Sequence, residues 1–266
     1  MSATHPDPRS LFDVAGRSAL VTGASGAFGT MAARTLAAAG ARLTLAAGHV
    51  DRLEALGAEL AAAGAEVELV PRRPDEEADA EAMVAAAVRA HGGLDLVVTA
   101  SGTNRVAPIV DFPVEDWDAV MRANVRGSWL VCRAAGRRLL EQGRGGKVVL
   151  VSSTRGKLGH PAGYTAYCPS KAAVDLLART LACEWGSHRI TVNAIAPTVF
   201  RSDLTAWMYK EEGQGKATRE AMLSRIPLGR LGEPDDFAGA LLYFLSRASD
   251  FCTGQVLYVD GGYTAG

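Results

Sequence analysis

Apolar residues fall along this chain in short runs separated by longer amphipathic stretches. "SALVTG" (18–23) is a β-rich run ending in glycine, and "FGTMAARTLAAAG" (28–40) follows it as an alanine-rich helix closed by Gly40. The alternation then repeats. "ARLTLAA" (41–47), "AEVELV" (65–70) and "LDLVVTA" (94–100) read as strands, with "VDRLEALGAELAAAG" (50–64) and "DEEADAEAMVAAAVRAHGG" (75–93) as the helices between them. Acids open the second of these helices, where the positive end of the helix dipole favours them. A long helix over about 114–141 leads to the strand "KVVLVSS" (147–153), and another helix begins near Tyr167. "ITVNAIA" (190–196) is the next strand, "EPDDFAGALLYFLS" (233–246) is helical, and "GQVLYVDGG" (254–262) supplies a last strand.

Strands that are short and apolar on both faces, alternating with helices, predict a parallel sheet covered on both sides. The expected fold is one doubly wound α/β (Rossmann) domain over 1–266, with a mostly parallel sheet of roughly seven strands. Residues 1–15 form an N-terminal extension. Only from Val199 to Arg225 does the alternation lapse. That polar stretch is expected to pass over the carboxyl edge of the sheet as a substrate lid.

The 266 residues suffice for a continuous core, and a formal net charge of −1 gives no reason to expect a nucleic-acid or membrane partner. "MSATHPDPRS" has no apolar core of the signal-peptide kind, and no apolar run is long enough to span a bilayer. A cytoplasmic protein with reduced thiols is expected. Cys132, Cys168, Cys183 and Cys252 are scattered, so no metal site is expected.

Candidate chemistry begins at "TGASGAFG" (22–29), between the first strand and the first helix. Glycines at 23, 26 and 29 permit a tight turn and close backbone approach, leaving a helix N-terminus to face a pyrophosphate. A carboxylate at the end of the second strand would grip ribose hydroxyls, but "LAAGHVDR" has no acid before Asp51. His49, Arg52, Arg72 and Arg73 either lend positive potential there, favouring NADP(H) over NAD(H), or are ordinary solvated residues. "AYCPSKAAV" (166–174) sets Tyr167 and Lys171 four apart, on one helix face. A cation there is expected to lower the phenol's pKa from about 10. Pro169 fits the first helical turn, where a missing N–H does little harm.

With "RANVRGSW" around Asn124, "VVLVSSTRGKLGHPAGYTAYCPSK", "NAIAPTVFRSDL" and "RLGEPDDFAGALLYFLSRASDFCTGQVLYVDGG", these motifs resemble the short-chain dehydrogenases/reductases over nearly the full length. "LFDVAGRSALVTG" is similar to the gluconate 5-dehydrogenase subgroup. The resemblance implies catalytic roles for Asn124, Ser153, Tyr167 and Lys171. Gly156 and Gly159 match the glycines after the family's serine and point to Ser153, whereas the usual spacing to the tyrosine gives Thr154. Tyr164 is set aside, because Cys168 and not lysine stands four residues on.

The resemblance further implies cofactor contacts from Thr22, Gly23, Ser25, Gly26, Ala27, Phe28, Gly29, Gly48, His49, Arg73, Ala100, Gly102, Tyr167, Lys171, Pro197, Val199 and Ser202. Ser202 takes the place of the family's amide-binding threonine. Departures concentrate around the adenosine. Ala27 replaces the middle glycine of the usual turn, Gly48 a common basic residue, and Arg73 an aspartate that meets the adenine. "TASG" (99–102) stands for NNAG and "PT" (197–198) for PG.

The expected reaction interconverts a secondary alcohol and a ketone with NAD(P)(H), on a small substrate such as a sugar acid, a polyol or a 3-oxoacyl compound. Arg105, Arg201 and Lys210 are candidates to attract an anionic substrate, or are solvated surface cations. A homotetramer is implied, through the helix after Tyr167 and the closing strand. The alternative is a catalytically silent cofactor-binding or scaffolding protein, favoured by the eroded adenosine motifs and opposed by the four intact catalytic positions. Lys171 speaks against dehalogenase chemistry, whose enzymes on this scaffold carry arginine there.

Overall fold

The computed structural model describes residues 7–266. Its strands are β1 (Ser18–Thr22), β2 (Arg42–Ala46), β3 (Val67–Val70), β4 (Leu96–Thr99), β5 (Gly146–Val151), β6 (Ile190–Pro197) and β7 (Val256–Val259). They form one sheet in the order β3-β2-β1-β4-β5-β6-β7, and every neighbouring pair is parallel. The helices are α1 (Ala27–Ala38), α2 (Val50–Ala62), α3 (Glu77–His91), α4 (Val114–Met121), α5 (Gly127–Gln142), α6 (Tyr167–Trp185), α7 (Gly213–Leu223) and α8 (Pro234–Leu245).

Both faces of the sheet are covered, and the period of two along each strand divides its side chains between two cores. Leu20, Val97, Val148 and Val192 join Met83, Val131, Leu139 and Trp185 of α3, α5 and α6. Val21, Leu45, Val98 and Ile195 join Leu36, Leu56, Leu241 and Phe244 of α1, α2 and α8. Val14 is buried in this second core, so the described part of the N-terminal extension is anchored to the domain; residues 1–6 of that extension lie outside the described residues.

Two departures from expectation shape the site. The predicted helix over 114–141 is interrupted between α4 and α5 by a π turn, Arg122–Arg126, whose cap at Gly127 keeps helical dihedrals. A π turn holds one more residue than an α turn, and Asn124 within it is fully buried. The stretch from Val199 to Arg225 is also less irregular than its polarity suggests. It contains a 3₁₀ turn (Asp203–Tyr209) and α7, and Met208 clusters with Ile226, Leu231 and Tyr263, with Leu158, Val199 and Met222 packed against them. A few well-spaced apolar residues suffice to seat that segment on the carboxyl edge.

The strand order reverses between β1 and β4. In open parallel sheets a crevice forms at the carboxyl ends of such a pair.

Candidate active site

At that crevice the turn after β1 closes against the turn after β4. Gly23 has φ +68°, and a Cβ there would lie 2.5 Å from the Ser101 amide nitrogen. A Cβ on Gly29 would overlap the Gly23 carbonyl. Gly26 is the N-cap of α1 and donates to the Gly23 carbonyl at 2.9 Å, which puts Ala27 at the first helical position. No side chain caps α1, so the amides of its first turn are available to an anion.

Gly23, Ser25, Gly26, Gly48, His49, Arg73, Ala100 and Gly102 share the lining of one cavity of about 490 Å³, together with Arg52, Arg72 and Arg105. An adjoining cavity of about 940 Å³ is lined by Ser25, Gly26, Ala27 and Ser202. Thr22 is buried at the end of β1, its hydroxyl without a partner. Phe28 turns its ring into the core, 5.3 Å from that of Phe200 and 5.2 Å from that of Phe237, leaving only its backbone toward the turn. Neither cavity is lined by Pro197 or Val199; Pro197 ends β6, and Val199 accepts a hydrogen bond from the Gly232 amide at 3.0 Å. Arg73 lies across the end of β2. A Cβ on Gly48 would stand 2.5 Å from its Nε and 2.6 Å from its Cγ, so the glycine makes room for the arginine.

The four expected catalytic residues come from three elements. Ser153 follows β5, and its Oγ accepts from the Arg155 amide at 3.2 Å. Thr154 is buried and opens the 3₁₀ turn Thr154–Gly156. Tyr167 starts α6 and is half-buried; Lys171, one turn on, is buried. The Lys171 ammonium donates to the Val151 carbonyl at 2.9 Å and stands 5.7 Å from the centre of the Tyr167 ring. Asn124 accepts from the Thr103 amide at 2.7 Å and donates to the Thr103 carbonyl at 3.0 Å and to Ser170 Oγ at 2.9 Å. A Cβ on Gly102 would lie 3.1 Å from Asn124 Oδ1 and 3.8 Å from Lys171 Nζ. The first cavity therefore adjoins the lysine.

Electrostatics depart from expectation in one respect. Burial raises the Tyr167 phenol above its ordinary value, while a hydrogen bond with Ser153 and the Arg155 charge pull it down. The expected lowering by Lys171 is absent, and burial weakens the lysine as well. Its pKa falls from 10.5 to about 8 through desolvation, opposed by Asp175. Its ammonium is directed to the Val151 carbonyl rather than to the phenol.

Of the three cations proposed for an anionic substrate, two stand beside acids. Arg105 stands 3.6 Å from Asp116, Arg201 pairs with Glu233 at 2.9 Å and lies over the Tyr209 ring, and Lys210 is exposed. Beside Tyr167 the structure places other groups. The Tyr164 ring meets that of Tyr167 edge-on at 6.1 Å and that of His160 at 4.5 Å. The Arg155 guanidinium lies 6.0 Å from Tyr164 and 5.4 Å from Tyr263. Sequence reasoning passed over Arg155, His160 and Tyr263, and set Tyr164 aside, because none occupies a motif position. For Arg155, His160 and Tyr164 the available signal is proximity to Ser153 along the chain; Tyr263 is brought there only by the fold.

Comparison with known proteins shows the family to which the chain belongs. The family model described as enoyl-(acyl carrier protein) reductase matches residues 23–264. An uncharacterized oxidoreductase of Mycobacterium tuberculosis is 63% identical over 256 residues, 96% of this chain and 93% of the relative. Gluconate 5-dehydrogenase of Gluconobacter oxydans is 35% identical over 262 residues, 98% of each chain. The crystal structure of a gluconate 5-dehydrogenase from Burkholderia cenocepacia, in complex with NADP and tartrate, superimposes with a TM-score of 0.88 at 31% identity, covering 97% of this chain and 98% of that one. The chain belongs to the short-chain dehydrogenase/reductase family and is an NAD(P)-dependent oxidoreductase. No helix among the described residues is long and apolar enough to cross a membrane.

Proposed function

We propose that this enzyme interconverts a secondary alcohol and a ketone on a polyhydroxylated, sugar-derived substrate, with Tyr167 as the acid/base. One observation carries the reading: Tyr167, Lys171 and Ser153 converge beside a glycine cradle whose wall, at Gly102, touches the space of Asn124 and Lys171. The cradle fits a dinucleotide, since two of its glycines admit no Cβ and its helix N-terminus is uncapped. Names of relatives such as gluconate 5-dehydrogenase and galactitol 2-dehydrogenase support the substrate class.

A bound nicotinamide supplies or accepts hydride at the carbinol carbon. Tyr167, protonated at neutral pH because burial raises its pKa, gives its proton to the carbonyl oxygen in reduction. Ser153 donates a hydrogen bond to that oxygen as charge develops. Ser153 is preferred to Thr154 because its hydroxyl is the one that acts on the phenol. Lys171 holds the nicotinamide ribose. Asn124, locked by Thr103 and Ser170 in the π turn, holds the water that returns protons through Lys171. Residues 199–225 close over the substrate.

NADP(H) is the favoured cofactor. Arg73 lies across Gly48 at the end of β2, where a carboxylate would select against a 2′-phosphate. The outward face of α5 and α6, with Trp129 and Leu176 exposed and a groove through Met121, Val125 and Leu177, supports a homotetramer. The decisive test is Tyr167→Phe, expected to lower ketone reduction by about a hundredfold or more while NADPH binding, read by fluorescence titration, stays within about twofold. Turnover near wild type would remove Tyr167 from its role.

A further inference from the structure

The groups around Arg155 form a second recognition unit on the Tyr167 side of the cleft. Arg155 follows Ser153 by two residues and is half-buried, with no carboxylate within ion-pair distance among the described residues. Two hydrogen bonds hold it, from Nη2 to the Tyr263 hydroxyl at 2.9 Å and from Nη1 to the Gly159 carbonyl at 3.2 Å. A guanidinium has five N–H donors, so three remain. Tyr164 and Tyr263 flank it and restrict its plane. Arg225, at the end of the lid, lies 4.4 Å from the centre of the same Tyr263 ring.

Two guanidinium groups therefore share one buried tyrosine, and no acid pairs with either among the described residues. A carboxylate bound on this side of the cleft would therefore meet two cations that have no acid of their own. His160 completes the unit. Its Nδ1 accepts from the Ala162 amide at 3.1 Å, so a neutral ring carries its proton on Nε2 as a free donor. Burial, with Arg155 and Arg225 nearby, lowers its pKa and keeps it neutral at physiological pH.

We infer that Arg155, with Arg225 and His160, forms the subsite for the carboxylate of a hydroxy- or oxo-acid substrate whose reacting carbon lies at Tyr167. Arg155 supplies a planar fork matched to a carboxylate, Arg225 arrives with the lid, and His160 donates to an adjacent hydroxyl. This deepens the proposed function and rests on it. The same site is thereby assigned an acid rather than a neutral polyol.

The test compares D-gluconate with its uncharged counterpart D-sorbitol. With NADP+ present, wild type is expected to favour gluconate in kcat/KM, and Arg155→Leu to raise KM about 10- to 100-fold for gluconate and within about twofold for sorbitol, while any change in kcat through the Tyr167 phenol falls on both substrates alike. Arg155→Lys keeps the charge and should recover part of the loss, which a purely structural arginine would not show. Calorimetric titration of the NADP+-bound protein with gluconate and with tartrate gives a binding readout even without turnover. Equal rises in KM on both substrates, or carboxylate binding unchanged in Arg155→Leu, would overturn the subsite. Turnover of sorbitol without acid preference would overturn the subsite and leave the alcohol dehydrogenase reading standing. Absence of turnover with both, alongside Arg155-dependent carboxylate binding, would do the reverse.

Discussion

Replacing Lys171 by methionine isolates the cost of burying an ammonium. The lysine pKa falls from 10.5 to about 8, so between those values the unfolded chain binds a proton that the folded one has released. Stability therefore rises with pH through this window. Below about pH 8 the full penalty applies, about 3 kcal/mol from 1.36 kcal/mol per unit; near pH 9.5 only about 1.4 kcal/mol remains. Methionine fills a similar volume without titrating, at the cost of leaving the Val151 carbonyl, now bonded to Nζ at 2.9 Å, without its donor. That loss is independent of pH. Urea unfolding of both proteins at about pH 7 and 9.5, at one protein concentration, should show wild type gaining about 2 kcal/mol relative to Lys171→Met. The tyrosines are common to both proteins and cancel in the difference. Parallel pH profiles would show that the amine titrates as an exposed lysine does, and the buried geometry assigned to it would fail.

Two further outcomes follow from the same geometry. Arg73→Ala should weaken NADPH binding by about tenfold, leaving NADH within about twofold, in fluorescence titration; equal losses would place the selectivity elsewhere. Leu176→Lys, on the exposed α6 face, should lower the assembly state seen by light scattering without shifting the far-ultraviolet circular dichroism, and an unchanged mass would remove that face as the interface.

Most of the architecture could be read from the chain because strands buried on both faces carry no polar positions to confuse the pattern. "SALVTG" and "KVVLVSS" are recognisable for that reason, and both become central strands. Boundaries moved by only a few residues. The lid was harder. Its polar composition hides Met208, which packs only because Ile226 and Leu231, just beyond the segment, and the distant Tyr263 complete the cluster. The π turn was invisible, since helical periodicity over 114–141 is nearly the same with one extra residue in a turn.

The site shows a sharper division between what a chain reveals and what only its fold can. Glycine positions are legible because their requirement is local: Gly23 needs a positive φ whatever surrounds it. Charges are not, because a cation's meaning depends on its partner. Arg105, Arg155 and Arg201 are equivalent as letters, yet Asp116 and Glu233 pair with the first and third, leaving Arg155 unpaired beside the Tyr167 phenol. The same reasoning explains the lysine. Four-residue spacing correctly places Lys171 against the Tyr167 ring, but spacing carries no information on burial, and desolvation decides the sign of both pKa shifts. A buried ammonium with a pKa of about 8 is more easily discharged than an exposed one, which suits the proton-passing role proposed for Lys171.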